Sequence, residues 1–310
     1  MPAYALVGAT GATGSSVLRH LLTIHSVPTS SHGQTTSNPN SPNQTLHVSL
    51  LIRAKPKLLS LFPALPSFTS QTHPNLKLNI IEGSATNPST LDKALDHCSV
   101  IFMCVGANTA PIGHTLVRDT AAAIVASLRR LRGKHQKRNG YHPPTIIQLR
   151  SASLNPPLAA QIPKFVSRTV EFCLAATYDD VRAACAVYGD AARENLLDFV
   201  LVDPPTLHDA FGSEATGYRI IEGSERQAVC LSYADLGTAL CEVAERRGEY
   251  SNTAVGVTAT GHVRTSWGVL LGYLFRGGLG HLVHMAGGGE NVVVVASCVG
   301  LVLAAVACYL

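Results

Sequence analysis

Residues 4–16 read YALVGATGATGSS, and three glycines, Gly8, Gly11 and Gly14, recur at every third position directly after a short apolar run. Glycines at this spacing suit one kind of chemistry. Gly8 permits a tight turn, Gly11 lets a pyrophosphate approach the backbone, and Gly14 lets a following helix pack closely on the strand. The start of that helix then offers unpaired N–H groups and the positive end of its dipole to phosphate oxygens. The candidate phosphate contacts are Gly8, Thr10, Gly11, Ala12, Thr13 and Gly14, with hydroxyl donors on the two threonines. The second candidate lies in IRAKPK, residues 52–57. A site for NAD usually places a carboxylate at this strand end, for the ribose 2′-hydroxyl. Here the residues are Arg53, Lys55 and Lys57, and no acid is present. That set pairs with a 2′-phosphate. The cofactor read from these residues is NADP(H), with Arg53 and Lys57 as its contacts.

These loops need strands and helices to aim them. Strands are expected at 4–8, 46–53, 76–83, 98–106, 145–151 and 197–205, several of them continuously apolar, as happens when both faces of a sheet are covered. Helices are expected at 14–25, 87–96, 114–132 and across 164–195. Strand and helix alternate throughout, so the fold class is α/β, a Rossmann doubly wound parallel sheet. Gly14 and Arg53 stand 39 residues apart, against about 20 in the usual fingerprint. The Ser-, Thr-, Asn- and Pro-rich stretch 26–45 accounts for most of the excess and reads as a surface insertion with nothing to bury. Beyond residue 206 the pattern loosens, with short strands and a helix expected at 234–247. Residues 206–290 therefore read as a small cap over the substrate, within one domain spanning 1–290. VGAN, residues 105–108, ends the fourth strand, which puts Gly106 and Asn108 under the cofactor. His208 and Asp209 fall on the rim after the sixth strand, where a histidine can serve as an acid/base, though His208 reads first as a surface residue.

GATGATG together with LIR resembles the atypical short-chain dehydrogenases, in their NmrA-like branch. VDPPTLHDAF, LSYADLGTALCEVAE and VTATGHVRTSWGVLLGYL are similar to averufin oxidase A-like oxidoreductases of fungal aromatic polyketide pathways. The resemblance covers about residues 3–265. It implies a Rossmann fold, NADP(H) and a polycyclic phenolic substrate. It also implies a catalytic Ser, Tyr and Lys, in which the Tyr moves the proton and the Lys, four residues on, lowers its pKa. The chain has no Y-x-x-x-K, but it has YDDVR, Tyr178 to Arg182. Tyr178 lies 27 residues before Pro205 and Ser153 lies 25 before Tyr178, separations at which extended members of the superfamily carry this tyrosine and serine. The resemblance thus assigns Ser153, Tyr178 and Arg182 to catalysis, with Arg replacing Lys and Tyr188 as a second candidate tyrosine. Three readings follow: an NADP(H)-dependent oxidoreductase on an aromatic polyketide intermediate, an NADP(H)-sensing regulator without turnover, and a redox-neutral isomerase or dehydratase.

Composition narrows the remaining classes. The chain has 310 residues, 46% hydrophobic and 14% charged, enough for a large core. Its net charge of +4 is too weak to argue for nucleic acid. Eight cysteines form no C-x-x-C pair and no zinc-like spacing, so no metal and a reducing compartment are expected. RRLRGKHQKRNGYHPP, residues 129–144, reads as a basic solvated loop. Residues 291–310 carry no charge, and the 19 from Val292 to Leu310 would span roughly 28 Å as a helix. That length suits a membrane anchor, leaving the catalytic domain on the cytosolic side, or a buried terminal helix.

Overall fold

The computed structural model describes residues 2–26, 45–67, 73–107, 111–135, 140–210, 215–265 and 267–285. The Ser/Thr/Asn-rich insertion, Asn108, Lys137, Arg138 and the apolar run 291–310 lie outside them, apart from the insertion's two end residues. The chain alternates β1 (Ala3–Val7), α1 (Ala12–Ile24), β2 (Leu46–Ile52), α2 (Lys55–Leu61), β3 (Leu76–Glu82), α3 (Pro88–Leu95), β4 (Val100–Met103), α4 (Leu116–His135) and β5 (Thr145–Leu149). It continues through α5 (Pro156–Ala159), α6 (Lys164–Cys173), α7 (Ala175–Arg193), β6 (Asp198–Asp203), β7 (Thr206–His208), β8 (Tyr218–Ile221), β9 (Cys230–Ser232), α8 (Tyr233–Glu245), β10 (Thr253–Ala259) and α9 (Trp267–Met285).

Eight strands form one sheet in the order β3-β2-β1-β4-β5-β6-β10-β8. All pairs are parallel except β10 with β8. The sheet divides the apolar core in two. One side holds Leu18 and Leu21 of α1, Leu58 of α2 and Leu236 and Leu240 of α8. The other holds Leu91 of α3, Ile124 and Leu128 of α4 and Ala184 and Tyr188 of α7. This is the doubly wound arrangement expected from the alternation. Strand β4 is the most buried, with Val100, Ile101, Phe102 and Met103 all at 0% exposure, which is why its sequence shows no alternation of polar residues.

Residues beyond 206 are built onto the sheet: β10 and β8 extend it. What lies outside it is the two-stranded β7–β9 sheet and the α6–α9 helix pair, packed closely enough that a Cβ on Gly277 would meet the Cys173 carbonyl oxygen at 2.1 Å. The mostly helical stretch expected across 164–195 is two helices that meet at Leu174. One expectation is corrected: the basic run is not a loop at its start, because α4 continues to His135. Arg129 pairs with Glu194 at 2.8 Å, Arg130 with Asp92 at 2.7 Å and Lys134 with Asp96 at 3.1 Å. The acids come from α3, from the turn after it and from the end of α7, so none is visible within the run itself.

Candidate active site

The glycine loop joins β1 to α1 at the C-terminal edge of the sheet. Gly8 has φ +95°, and a Cβ there would stand 2.8 Å from the Cys104 carbonyl oxygen. Only glycine accepts both the conformation and the contact. A Cβ on Gly14 would come within 2.3 Å of the Gly8 carbonyl oxygen, so the helix lies tightly over the turn. Gly11 differs: a Cβ there would make only ordinary contacts, the nearest at 3.5 Å, and the residue is exposed. Packing among the described residues does not demand glycine here, and the position is open on its outer side. Gly11 is also the N-cap of α1, with no side-chain cap and no acid in the first turn. The leading N–H groups of that helix are left to an anion. A dinucleotide pyrophosphate fits this cradle.

At the end of β2, Arg53 and Lys57 are exposed, and neither enters an ion pair among the described residues. The fold adds a carboxylate that the sequence order hid. Glu82 closes β3 opposite Ile52, and its Oε1 accepts the Lys55 backbone N–H at 3.2 Å, capping α2. Gly106 follows β4 with no atom within 4 Å of a virtual Cβ, so it is open on that side. The Thr177 hydroxyl donates to the Ala107 carbonyl at 3.2 Å, which ties this loop to the start of α7.

Tyr178, the next residue, is 5% exposed. Its hydroxyl lies 3.3 Å from Ser151 Oγ. Burial pushes the Tyr178 phenol above its ordinary pKa, against hydrogen bonds from Ser151 and Ser153 and the charge of Arg182. The serine in hydrogen-bond reach of the Tyr178 hydroxyl is Ser151, and Ser153 stands beside it, its backbone N–H donating to Ser151 Oγ at 3.3 Å. The spacing argument picks Ser153, and Ser151 was legible only as the first serine of the same SAS, two residues earlier. Arg182 shares the helix with Tyr178, but its guanidinium forks elsewhere. One nitrogen donates to Glu171 at 2.5 Å and the other to Asp179 at 2.9 Å, and the side chain is 46% exposed. Tyr188 is about 15 Å further along α7, fully buried in the core.

Two buried carboxylates hold this arrangement. Asp180, beside Tyr178, accepts the Val117 N–H at 2.9 Å and the Arg118 N–H at 2.8 Å, capping α4 from α7. Asp203, at 0% exposure, takes Arg150 Nε at 2.6 Å, Arg150 Nη2 at 2.5 Å and Asn155 Nδ2 at 2.8 Å. Arg150 immediately precedes Ser151, so this clamp locks the serine loop to the end of β6. His208 is not the surface residue expected: it is 1% exposed and packs edge-to-face on Trp267 at 4.6 Å between ring centroids. Burial lowers its pKa.

No family model matches the chain. It is 51% identical over 314 aligned residues to averufin oxidase stcO of Emericella nidulans, covering 98% of this chain and 97% of that protein. It belongs to the averufin oxidase family. Averufin oxidase A of Aspergillus flavus is 50% identical over 284 residues, 91% of each chain. Among solved structures, a short-chain dehydrogenase/reductase of Veillonella parvula in complex with NADP superposes with a TM-score of 0.54 at 20% identity, over 86% of this chain and 98% of that one. That likeness carries the fold. The chain is averufin oxidase-like, with a fold similar to that of short-chain dehydrogenases, and it is an oxidoreductase. The reading as a regulator without turnover gives way to this. Among the described residues, no helix is long and apolar enough to cross a membrane.

Proposed function

We propose that the protein is an NADP(H)-dependent oxidoreductase acting on an aromatic polyketide intermediate, with Tyr178 as its proton donor. The observation that carries the reading is the buried Tyr178 hydroxyl held 3.3 Å from Ser151 at the end of β5. The names of its relatives, averufin oxidases, support the substrate class. The bound nicotinamide would supply or take the hydride. Gly8, Thr10, Gly11, Ala12, Thr13 and Gly14 would hold its phosphates, Arg53 and Lys57 the 2′-phosphate, and Gly106 and Asn108 the loop below.

The chemistry of this chain's own residues follows from their surroundings. A phenol whose pKa is raised by burial stays protonated at neutral pH. Tyr178 is therefore suited to donate a proton or a hydrogen bond to a substrate oxygen, and poorly suited to act as a resting base. The serine hydroxyls orient the phenol and offer a second donor to the same oxygen. Arg182 acts on the pair as a fixed charge at a distance, since its own donors are engaged by Glu171 and Asp179.

The test is Tyr178→Phe, which removes one hydroxyl. Turnover of NADPH with a quinone or hydroxyanthrone substrate should fall roughly 10²–10⁴-fold with NADPH affinity nearly unchanged. Ser151→Ala should lower turnover by less. Unchanged turnover in Tyr178→Phe would remove this tyrosine from the chemistry and leave a substrate phenol as the proton source.

A further inference from the structure

The opposite edge of the sheet holds a second group of chemically capable side chains. Asp96 caps the C-terminus of α3, His97 follows it, and His135 ends α4. One ligand atom from each lies within 4.8 Å of the others. Asp96 Oδ1 stands 2.7 Å from His135 Nε2 and 3.8 Å from His97 Nε2, and the two imidazole rings are 4.2 Å apart between centroids. Asp96 Oδ2 turns the other way and accepts Lys134 Nζ at 3.1 Å. The carboxylate is thus oriented so that one oxygen faces both rings. His97 sits at φ +59°, a left-handed conformation that glycine would adopt at less cost. This turn places the His97 ring against His135.

The group borders a cavity of about 560 Å³ lined by His47, Lys77, Asn79, Lys93, Asp96 and His97 among others. His47 Nε2 is buried there with no hydrogen-bond partner among the described residues. His47 and Lys77 lie near the starts of β2 and β3, and Asp96 and His97 precede β4, whereas the glycine loop follows the end of β1. Five-residue β1 alone separates the two edges by roughly 16 Å.

We propose that Asp96, His97 and His135 form a divalent transition-metal site, of the type that takes Zn²⁺, joining the α3–β4 turn to the end of α4. Two imidazoles and one monodentate carboxylate are borderline nitrogen and oxygen donors, which suit Zn²⁺ over Ca²⁺ or Mg²⁺. Metal–ligand bonds of about 2.0–2.2 Å put tetrahedral donors about 3.3 Å apart. The 2.7 Å contact must open slightly and His97 must close in. Its side chain is 70% exposed and free to turn. The cavity leaves water for the fourth position. Lys134 would hold the unused carboxylate oxygen in the second shell of the ion.

The test uses the full chain, stripped with chelator and titrated calorimetrically with Zn²⁺, and optically with Co²⁺. One equivalent should bind with a dissociation constant of about 10 µM or tighter. The cobalt spectrum should show d–d bands and no thiolate charge transfer, since Cys98, which lines the same cavity, is buried with its Sγ donating to the Ala94 carbonyl oxygen at 3.2 Å and stands outside the ligand group. His97→Ala, at an exposed position, and His135→Gln should each weaken binding at least tenfold, with NADPH affinity unchanged. Absence of saturable binding, parent affinity retained in either variant, or a thiolate band would overturn the assignment.

Discussion

Asp203→Ala tests how the serine loop is held. Asp203 is fully buried and accepts three hydrogen bonds, two from the Arg150 fork and one from Asn155. The Arg150 side chain is 15% exposed. Removing the carboxylate strands a guanidinium that solvent barely reaches. Breaking a buried pair from one side costs about 3–5 kcal/mol, because the remaining charge is left uncompensated. A domain of ordinary stability has about 5–15 kcal/mol in total, so the variant should be folded but marginal, melting on the order of 10 °C lower. Urea denaturation followed by circular dichroism measures the loss. The double variant Arg150→Met/Asp203→Leu removes both charges and should recover most of it. NADPH affinity should hold in any folded fraction, since the glycine loop belongs to β1 and α1. Turnover should fall, since Ser151 adjoins Arg150. A loss under about 0.5 kcal/mol, the range of ordinary surface substitutions, would refute the argument that this pair is desolvated and clamps the loop.

Gly11→Asp places a carboxylate where the cradle is open rather than packed, so NADPH binding should vanish in calorimetry while the far-UV spectrum is kept; retained binding would put the nucleotide elsewhere. Arg53→Asp should erase a preference for NADPH over NADH that we expect to be at least tenfold in the parent protein, about 1.4 kcal/mol, and equal affinities in the parent would reject the 2′-phosphate contact. The uncharged run 291–310 motivates a membrane association proposed from sequence alone. Full-length protein should then resist carbonate extraction from membranes, and full release into the supernatant would dismiss it.

The strand-and-helix order, the glycine loop and the position of Tyr178 were readable along the chain because each depends on neighbours in sequence. Apolar runs such as CSVIFMCVG and LDFVLVDPP announce buried parallel strands. Gly8 and Gly14 announce a turn and a close helix, and their contacts, Cys104 and Gly8 itself, are what the fold always brings there. What tertiary structure alone decided is a matter of long-range partners. The acids that neutralise Arg129, Arg130 and Lys134 come from residues 38 to 65 positions away. Glu171 and Asp179 draw Arg182 away from the role its spacing suggested, because a guanidinium on an exposed helix face takes the nearest carboxylates. Ser151 reaches Tyr178 only once the loop after β5 meets the start of α7. Asp203 looks like an ordinary strand-end acid until Arg150 folds onto it. Asp96, His97 and His135 show no metal-like spacing because α3 and α4 meet only through packing, the two histidines standing 38 positions apart. Local periodicity reports which face of an element is buried; it carries no information about which charged side chain arrives from the element packed against it.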